Sequence, residues 1–306
     1  MCSQLYLGCS GWNYGDASEN GGWLNVFYPE NKTRKLSYYS QFFNTVEMDA
    51  TFYKRFYNHM NEGLFIGITK ATPNNFKVSV KVPEIITHEK RLDINMNVIT
   101  DLNEFLNKIS PLESNRKLGA IIIQLPPSFT ISESNSLEIF LDALRKRSDL
   151  KNNNNIAIEF RHNSWNTEGV LELLHHYNIA SVLTDSPAQE NLGFLSNENN
   201  LTSNNLAVVR FHGRNTTRDH YWYDYLYSEK ELIPWIKKIN RIKENTDTIF
   251  VYFNNHYSGK AIVNSLQFKE LINNQPLPQI EKRVMEKAKK CLSNTLIINE
   301  SQHWYR

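Results

Sequence analysis

Short runs rich in β-branched and aromatic residues alternate with helically spaced stretches along the whole chain, and this rhythm restricts the fold more than any other feature. The candidate strands are Leu5–Cys9, Thr45–Asp49, Phe76–Val82, Leu118–Leu125, Ile156–Phe160, Ala180–Thr184, Leu206–Phe211 and Thr248–Phe253. Between them lie helical spacings at Leu36–Phe43, His59–Thr69, Val98–Ile109, Ser136–Arg147, Glu168–Tyr177, Glu229–Lys243 and Ala261–Leu271. Strands that each lead into a helix require parallel pairing through crossovers. Eight such units in 306 residues predict an α/β fold, a closed (β/α)8 TIM-type barrel. Residues 1–275 form the barrel domain, and 276–306 form a C-terminal helical extension and tail packed on it, with Ile280–Leu292 as the helix. The competing arrangement, a doubly wound open sheet, calls for a glycine-rich first turn, and Gly8-Cys9-Ser10-Gly11-Trp12 is not GxGxxG. One link, Ser186–Asn205, has no clear helix, and the asparagine-rich patches Asn152–Asn155 and Asn197–Asn205 read as surface loops.

Parity within the strands then sorts side chains by face, because neighbours point to opposite sides. Phe76, Val78, Val80 and Val82 oppose Lys77, Ser79 and Lys81; Ile156, Ile158 and Phe160 oppose Ala157, Glu159 and Arg161. The same split separates Val46 and Met48 from Glu47, Val209 and Phe211 from Arg210 and His212, and Val251 and Phe253 from Tyr252 and Asn254. In a barrel the helix-facing side must be apolar, so the polar set faces the axis, gathered toward the strand ends where barrel enzymes carry their sites. Glu47, Lys81, Gln124, Glu159, Arg161, Arg210, His212 and Asn254 therefore converge on one mouth, with Asp185 just past the sixth strand as a further member. The bland alternative is a set of internal ion pairs closing the barrel, Arg161 with Glu159 or Glu47 and Arg210 with Asp185.

Composition narrows the partners. Lys+Arg 34 against Asp+Glu 32 leaves a net charge of +2, which disfavours nucleic acid as a partner and gives no electrostatic case for a membrane. No apolar run is long enough to span a bilayer, and the N-terminus lacks a signal-peptide pattern. Cys2, Cys9 and Cys291 form no CxxC pair, so a reducing, cytoplasmic setting is expected.

The same positions carry a resemblance. Ser10-Gly11-Trp12, Phe27-Tyr28-Pro29, the Thr45–Tyr53 run and Thr87-His88 are its first markers, followed by Gln124-Leu125-Pro126-Pro127-Ser128-Phe129 and Glu159-Phe160-Arg161-His162-Asn163-Ser164-Trp165. Arg210-Phe211-His212-Gly213 and Tyr252-Phe253-Asn254-Asn255, with Gly259, Ala261 and Asn264, complete the set. From about Leu5 to Leu266 the chain resembles the domain of unknown function 72 family, also called YecE-like. The resemblance implies a TIM-barrel fold and no established activity, substrate or cofactor. Cys9 stands where a threonine is usual and Asp49 where asparagine is common, the latter adding negative charge near Glu47.

Several chemistries compete for this mouth. The leading expectation is a barrel enzyme, a hydrolase or isomerase, using acid–base or metal-assisted chemistry on an anionic small molecule bearing phosphate or carboxylate. Lys81, Arg161 and Arg210 supply positive charge, Glu47 and Glu159 the base and acid, and His212 a proton shuttle, with Asp185 beside them. His88, Gln124, Tyr252, Asn254 and Trp12 join Lys81, Arg161 and Arg210 as ligand-binding candidates. A divalent metal as cofactor is the variant in which Glu47, Asp49, Glu159, Asp185, His88 and His212 act as ligands, although no HExxH or CxxC motif is present. A non-catalytic binding protein for an anionic ligand or nucleic acid is the alternative class. A glycoside hydrolase-like use of Glu47 and Glu159 ranks third. Cys9 faces the helices by parity, and His175, His176 and His256 read as surface residues.

Overall fold

The computed structural model describes residues 3–146, 155–187, 200–216 and 222–302, with side chains as far as Ser293. Cys2, Asn152–Asn154, most of the link 186–205 and the last four residues lie outside these. The expected strands are present: β1 Gln4–Cys9, β2 Thr45–Met48, β3 Lys77–Lys81, β4 Leu118–Gln124, β5 Ile156–Glu159, β6 Ala180–Asp185, β7 Leu206–Phe211 and β8 Thr248–Phe253. Every ladder is parallel, and the strand order β1-β8-β7-β6-β5-β4-β3-β2 wraps the sheet into a barrel.

The seam between β1 and β2 is laced mainly by side chains. Leu7 N–H donates to Asn44 Oδ1 at 2.8 Å, and Asn44 Nδ2 donates back to Leu5 O at 3.1 Å. The Tyr39 hydroxyl sits between the strands, accepting from Cys9 N–H at 2.6 Å and donating to Thr45 O at 3.1 Å. A Cβ at Gly8 would lie 2.1 Å from Thr45 O, so only glycine permits this approach. Backbone pairing resumes at the top, where Gly11 N–H donates to Glu47 O at 2.7 Å.

Alternation has the expected consequence: two separate cores. Ala120, Ile122, Ala157, Val182, Val208 and Phe250 are among the residues filling the barrel interior. The larger core lies between the barrel and its helices. α1 is Lys35–Tyr39, α2 Lys54–Tyr57, α3 Glu62–Ala71, α4 Val98–Ser114, α5 Ser134–Arg145, α6 Glu168–His176, α7 Glu229–Asn245, α8 Lys260–Asn273 and α9 Gln279–Gln302. The amphipathic spacing is evident in α4, which buries Val98, Leu102, Phe105, Ile109 and Leu112 along one stripe. The spacing read as one helix over His59–Thr69 starts later, because the Asn61 side chain accepts from Leu64 N–H at 3.1 Å and caps α3 there. α9 lies against α8, burying Met285, Ala288 and Leu292, and Lys269 pairs with Glu281 at 2.8 Å. Among the described residues no helix is long and apolar enough to cross a membrane.

Candidate active site

At the C-terminal ends of the strands, one guanidinium organises the barrel's polar layer. Arg210, on the inward face of β7, reaches across the barrel and donates twice to Glu47, Nε to Oε2 at 2.9 Å and Nη2 to Oε1 at 2.7 Å. Its Nη1 donates to Glu159 Oε2 and, at 3.3 Å, to Gln124 Oε1. Ser10, one step beyond β1, donates its hydroxyl to Glu47 Oε2 at 2.8 Å. Arg210 is 2% exposed and its carboxylate partners less, so this is a fully desolvated charge network in which charge-assisted bonds are strongest. The two carboxylates raise the Arg210 pKa further despite its burial.

Arg161 caps this layer from just past the end of β5, with Nε donating to Glu159 Oε1 at 2.5 Å and Nη2 to Gln124 Oε1 at 3.2 Å. It keeps 11% of its side chain open and lies 5.9 Å from the Trp222 ring. Burial by itself pushes the Glu159 carboxyl up, but Arg161, Arg210 and His212 together hold it well below the usual range. His212 is fully buried: Asn254 Nδ2 lies 3.0 Å from its Nδ1, and its Nε2 faces Glu159 Oε1 at 3.2 Å and Arg161 Nη2 at 3.3 Å. Burial, with Arg161 and Arg210 adding, outweighs Glu159 and lowers its pKa to about 3, so the ring is neutral at ordinary pH.

Lys81 ends β3 on the same inward face. Thr51 fixes its backbone, accepting from Lys81 N–H at 2.9 Å and donating to Lys81 O at 2.7 Å. Its amine lies 4.0 Å from the centroid of the Phe52 ring and, among the described residues, has no carboxylate within ion-pair distance. Burial lowers it to about 8, with Arg210 and Arg161 adding to the shift and Glu47 and Glu159 opposing it. His88 packs edge-on against the same Phe52 ring at 4.8 Å, and burial and Lys81 lower it to about 4. A single π-helical turn, Ile85–Glu89, carries His88, and such turns recur at functional sites. Arg91 and Leu92 follow with φ 48° and 59°, a left-handed pair that costs roughly 1–2 kcal/mol per residue. The Arg91 guanidinium holds that geometry through Glu133 Oε1 at 2.8 Å and Ser128 O at 2.9 Å.

Beside this layer, between the loops after β1 and β2, is a cavity of about 300 Å³ lined by Trp12, Tyr14, Met48, Asp49, Tyr53 and Phe56. Among the described residues Asp49 is the one acid in its wall, pushed up to about 6 by burial and by Glu47.

Parity thus brings Glu47, Lys81, Gln124, Glu159, Arg161, Arg210, His212 and Asn254 to one end of the barrel, with His88 arriving from the loop and Trp12 in the adjoining wall. Two expected members are elsewhere. Asp185 points to the helix side, because Ala180, Val182 and Thr184 take the inward positions of β6. It accepts from Arg214 at 2.7 and 2.6 Å, from the Tyr227 hydroxyl at 2.9 Å and from Trp235 Nε1 at 2.7 Å, anchoring the loop that leads to α7. Tyr252 does face inward, but its hydroxyl lies between Thr45 Oγ1 at 2.9 Å and Ser79 Oγ at 2.6 Å, fully buried below the mouth. His256 is no surface residue either: its ring stacks between Tyr14 and Tyr223 at 4.7 and 5.2 Å. Cys9 faces the helices as parity requires, its thiol pushed up to about 12 by burial. Ser10 and Trp222 join the site unannounced; for Ser10 the signal was available, since it continues the inward parity of β1.

The roles expected of the carboxylates change accordingly. Glu47 and Glu159 share one guanidinium, so both are held as counter-ions of Arg210 rather than standing free as a glycosidase acid and base. Among the described residues no group of three or more His, Cys, Asp or Glu side chains is arranged to hold a metal ion. The proposed ligands are drawn apart: Asp185 to the helices, Glu47 and Glu159 to Arg210, and His88 to Thr87 at 2.8 Å.

A family model described as "Protein of unknown function DUF72" matches residues 6–288. The chain belongs to the DUF72 family. A solved DUF72 family protein of Thermotoga maritima is 30% identical, covering 88% of this chain and 99% of its own, with a TM-score of 0.72. Another from Enterococcus faecalis is 23% identical over 89% and 98%, with a TM-score of 0.67. The UPF0759 protein YunF of Bacillus subtilis is 28% identical over 88% of this chain and 95% of its own. The DUF72 resemblance drawn from the motifs and the TIM-barrel fold inferred from alternation therefore agree with the relatives.

Proposed function

We propose that the mouth of this DUF72 barrel is the active site of an enzyme that binds an anionic small molecule, bearing phosphate or carboxylate, and moves protons on it. One observation carries the reading: among the described residues, the three cations Lys81, Arg161 and Arg210 gather around Glu47 and Glu159, at the barrel end where enzymes of this fold act. Arg210 is consumed by Glu47 and Glu159, so it serves as a rigid floor and those glutamates as positioning residues. Arg161, the guanidinium nearer solvent, is the anion anchor; its planar fork suits carboxylate and phosphate. Proton transfer falls to groups whose pKa lies near neutrality, Asp49 at about 6 and Lys81 at about 8, an acid and a base separated by their surroundings. His88, neutral beside Lys81, is a hydrogen-bonding partner for ligand.

The test is thermal unfolding of the wild type and Arg161→Gln with inorganic phosphate, sulfate and simple dicarboxylates. A ligand that binds the native state raises the midpoint. Phosphate or a carboxylate should stabilise the wild type and lose most of that effect in the variant. No stabilisation by any of these anions, or equal stabilisation of both proteins, overturns the proposal.

A further inference from the structure

We propose that Lys81 is a carbonyl-reactive amine, and that the anionic ligand of the mouth carries an aldehyde or ketone which Lys81 captures as an iminium. The inference rests on the anionic reading above and adds the substrate's reactive group. Its basis is the arrangement around the amine. Other cations of the mouth have carboxylate partners, Arg210 taking Glu47 and Glu159 and Arg161 sharing Glu159. Lys81 lies in the same polar layer, almost fully buried, over the face of Phe52 rather than against a carboxylate. Thr51 clamps its backbone on both sides, so the amine is presented from a fixed strand end. A lysine that only balanced charge would be expected to sit against Glu47 or Glu159. A desolvated amine next to other cations is the arrangement that leaves a lysine nucleophilic.

The groups facing Lys81 support the same role. Arg210 from β7 and Arg161 from just past β5 favour its neutral form, Glu47 from β2 and Glu159 from β5 oppose it, and the ring of His88 is neutral. Asp49, from the loop after β2, is close enough to feel the Lys81 charge and is partly protonated near neutrality. The step balances as follows. The neutral amine attacks the carbonyl carbon, forming the C–N bond while the C=O π pair moves to oxygen, and proton transfer from nitrogen to that oxygen gives the carbinolamine. Asp49 then protonates the hydroxyl, the C–O bond breaks with release of water, and the nitrogen lone pair forms the C=N bond. The product is an iminium retaining one N–H, one water and the Asp49 carboxylate. No oxidant or reductant is needed.

The experiment uses the full chain with glyoxylate as an anionic aldehyde, propanal as a neutral one, and sodium cyanoborohydride to reduce any imine. Peptide mass spectrometry then reads which lysine is alkylated. At neutral pH an amine of pKa about 8 has on the order of 100-fold more neutral form than an ordinary lysine. Lys81 should therefore be alkylated by glyoxylate about tenfold or more faster than the exposed Lys54, and inorganic phosphate should slow it. Arg161→Gln should reduce the glyoxylate rate at Lys81 without changing that at Lys54. Labelling of Lys81 no faster than of Lys54 in the wild type overturns the iminium, and if phosphate still stabilises the protein the anionic reading survives alone. Rapid labelling of Lys81 by both aldehydes, unaffected by phosphate, supports the amine and overturns the anionic ligand.

Discussion

Replacing Arg210 with methionine removes the guanidinium while keeping most of its volume, and the two carboxylates it serves should respond differently. Glu159 keeps Arg161 at 2.5 Å and His212 at 3.2 Å, so it remains paired. Glu47 keeps only the Ser10 hydroxyl at 2.8 Å among the described side chains, at a position that is 0% exposed. One buried carboxylate is therefore stranded, and breaking a buried pair in this way costs about 3–5 kcal/mol. For a chain of this size that is a fall in midpoint of about 5–8 °C. Arg161→Gln should cost only about 1–2 kcal/mol, because Glu159 is still held by Arg210 and His212. Adding Glu47→Gln to Arg210→Met removes the stranded charge and should restore much of the loss. Acid should narrow the deficit as well, since protonating the stranded carboxylate also removes its charge. Urea denaturation of the four proteins measures this, a lower midpoint at constant slope being a change in stability. If Arg210→Met costs no more than Arg161→Gln, the picture of Arg210 as the shared counter-ion is wrong.

The buried imidazoles make stability depend on pH in a set direction. His88, His212 and His256 are lowered by burial to about 4, 3 and 4, below the usual 6.5, so the unfolded chain takes up protons first. Their contribution is complete above about pH 6.5 and drains as pH falls toward about 4, with Asp49 opposing over its own window below about 6. The urea midpoint should fall between about pH 7 and about pH 5; a flat or rising midpoint contradicts the assignment. Proton NMR should show no ring titration for His212 above about pH 5. Asp185→Ala should cost about 1–3 kcal/mol by leaving the buried Trp235 Nε1 without its acceptor and the Tyr227 hydroxyl with only the main-chain Asp185 O at 3.4 Å to donate to, yet leave phosphate binding intact, and lost binding would return Asp185 to the mouth. Native-state alkylation with iodoacetamide at about pH 8 should spare Cys9, whose thiol is buried at 3.3 Å from Ser265 Oγ and pushed up to about 12.

Parity made the fold and most of the mouth legible, because a strand's face assignment is local and the helix side of a barrel is mostly apolar. Where the reading failed, the missing quantity was not local. Tyr252 has the same parity as Asn254, but depth along the axis depends on register, and β8 pairs Tyr252 with Arg210 one layer below the rim. Asp185 was readable in principle: it alternates with Thr184 and so faces outward, where Trp235 and Tyr227 give it partners. That Glu47 and Glu159 meet on one guanidinium needs the distance across the barrel, which no spacing along the chain encodes. The π-helical turn carrying His88 has no pattern in hydrophobicity, and neither has the left-handed Arg91-Leu92 pair, where the Arg91 side chain is held by Glu133 and Ser128.

The central claim is that an anion binds at Arg161, above a floor closed by Arg210. A high-resolution crystal structure of the full chain grown with inorganic phosphate tests it most directly. The account predicts phosphate against the Arg161 guanidinium, within reach of Lys81, with Arg210 still bonded to Glu47 and Glu159. An ordered mouth occupied only by water while phosphate sits elsewhere, or a phosphate that displaces Glu47 from Arg210, would contradict it.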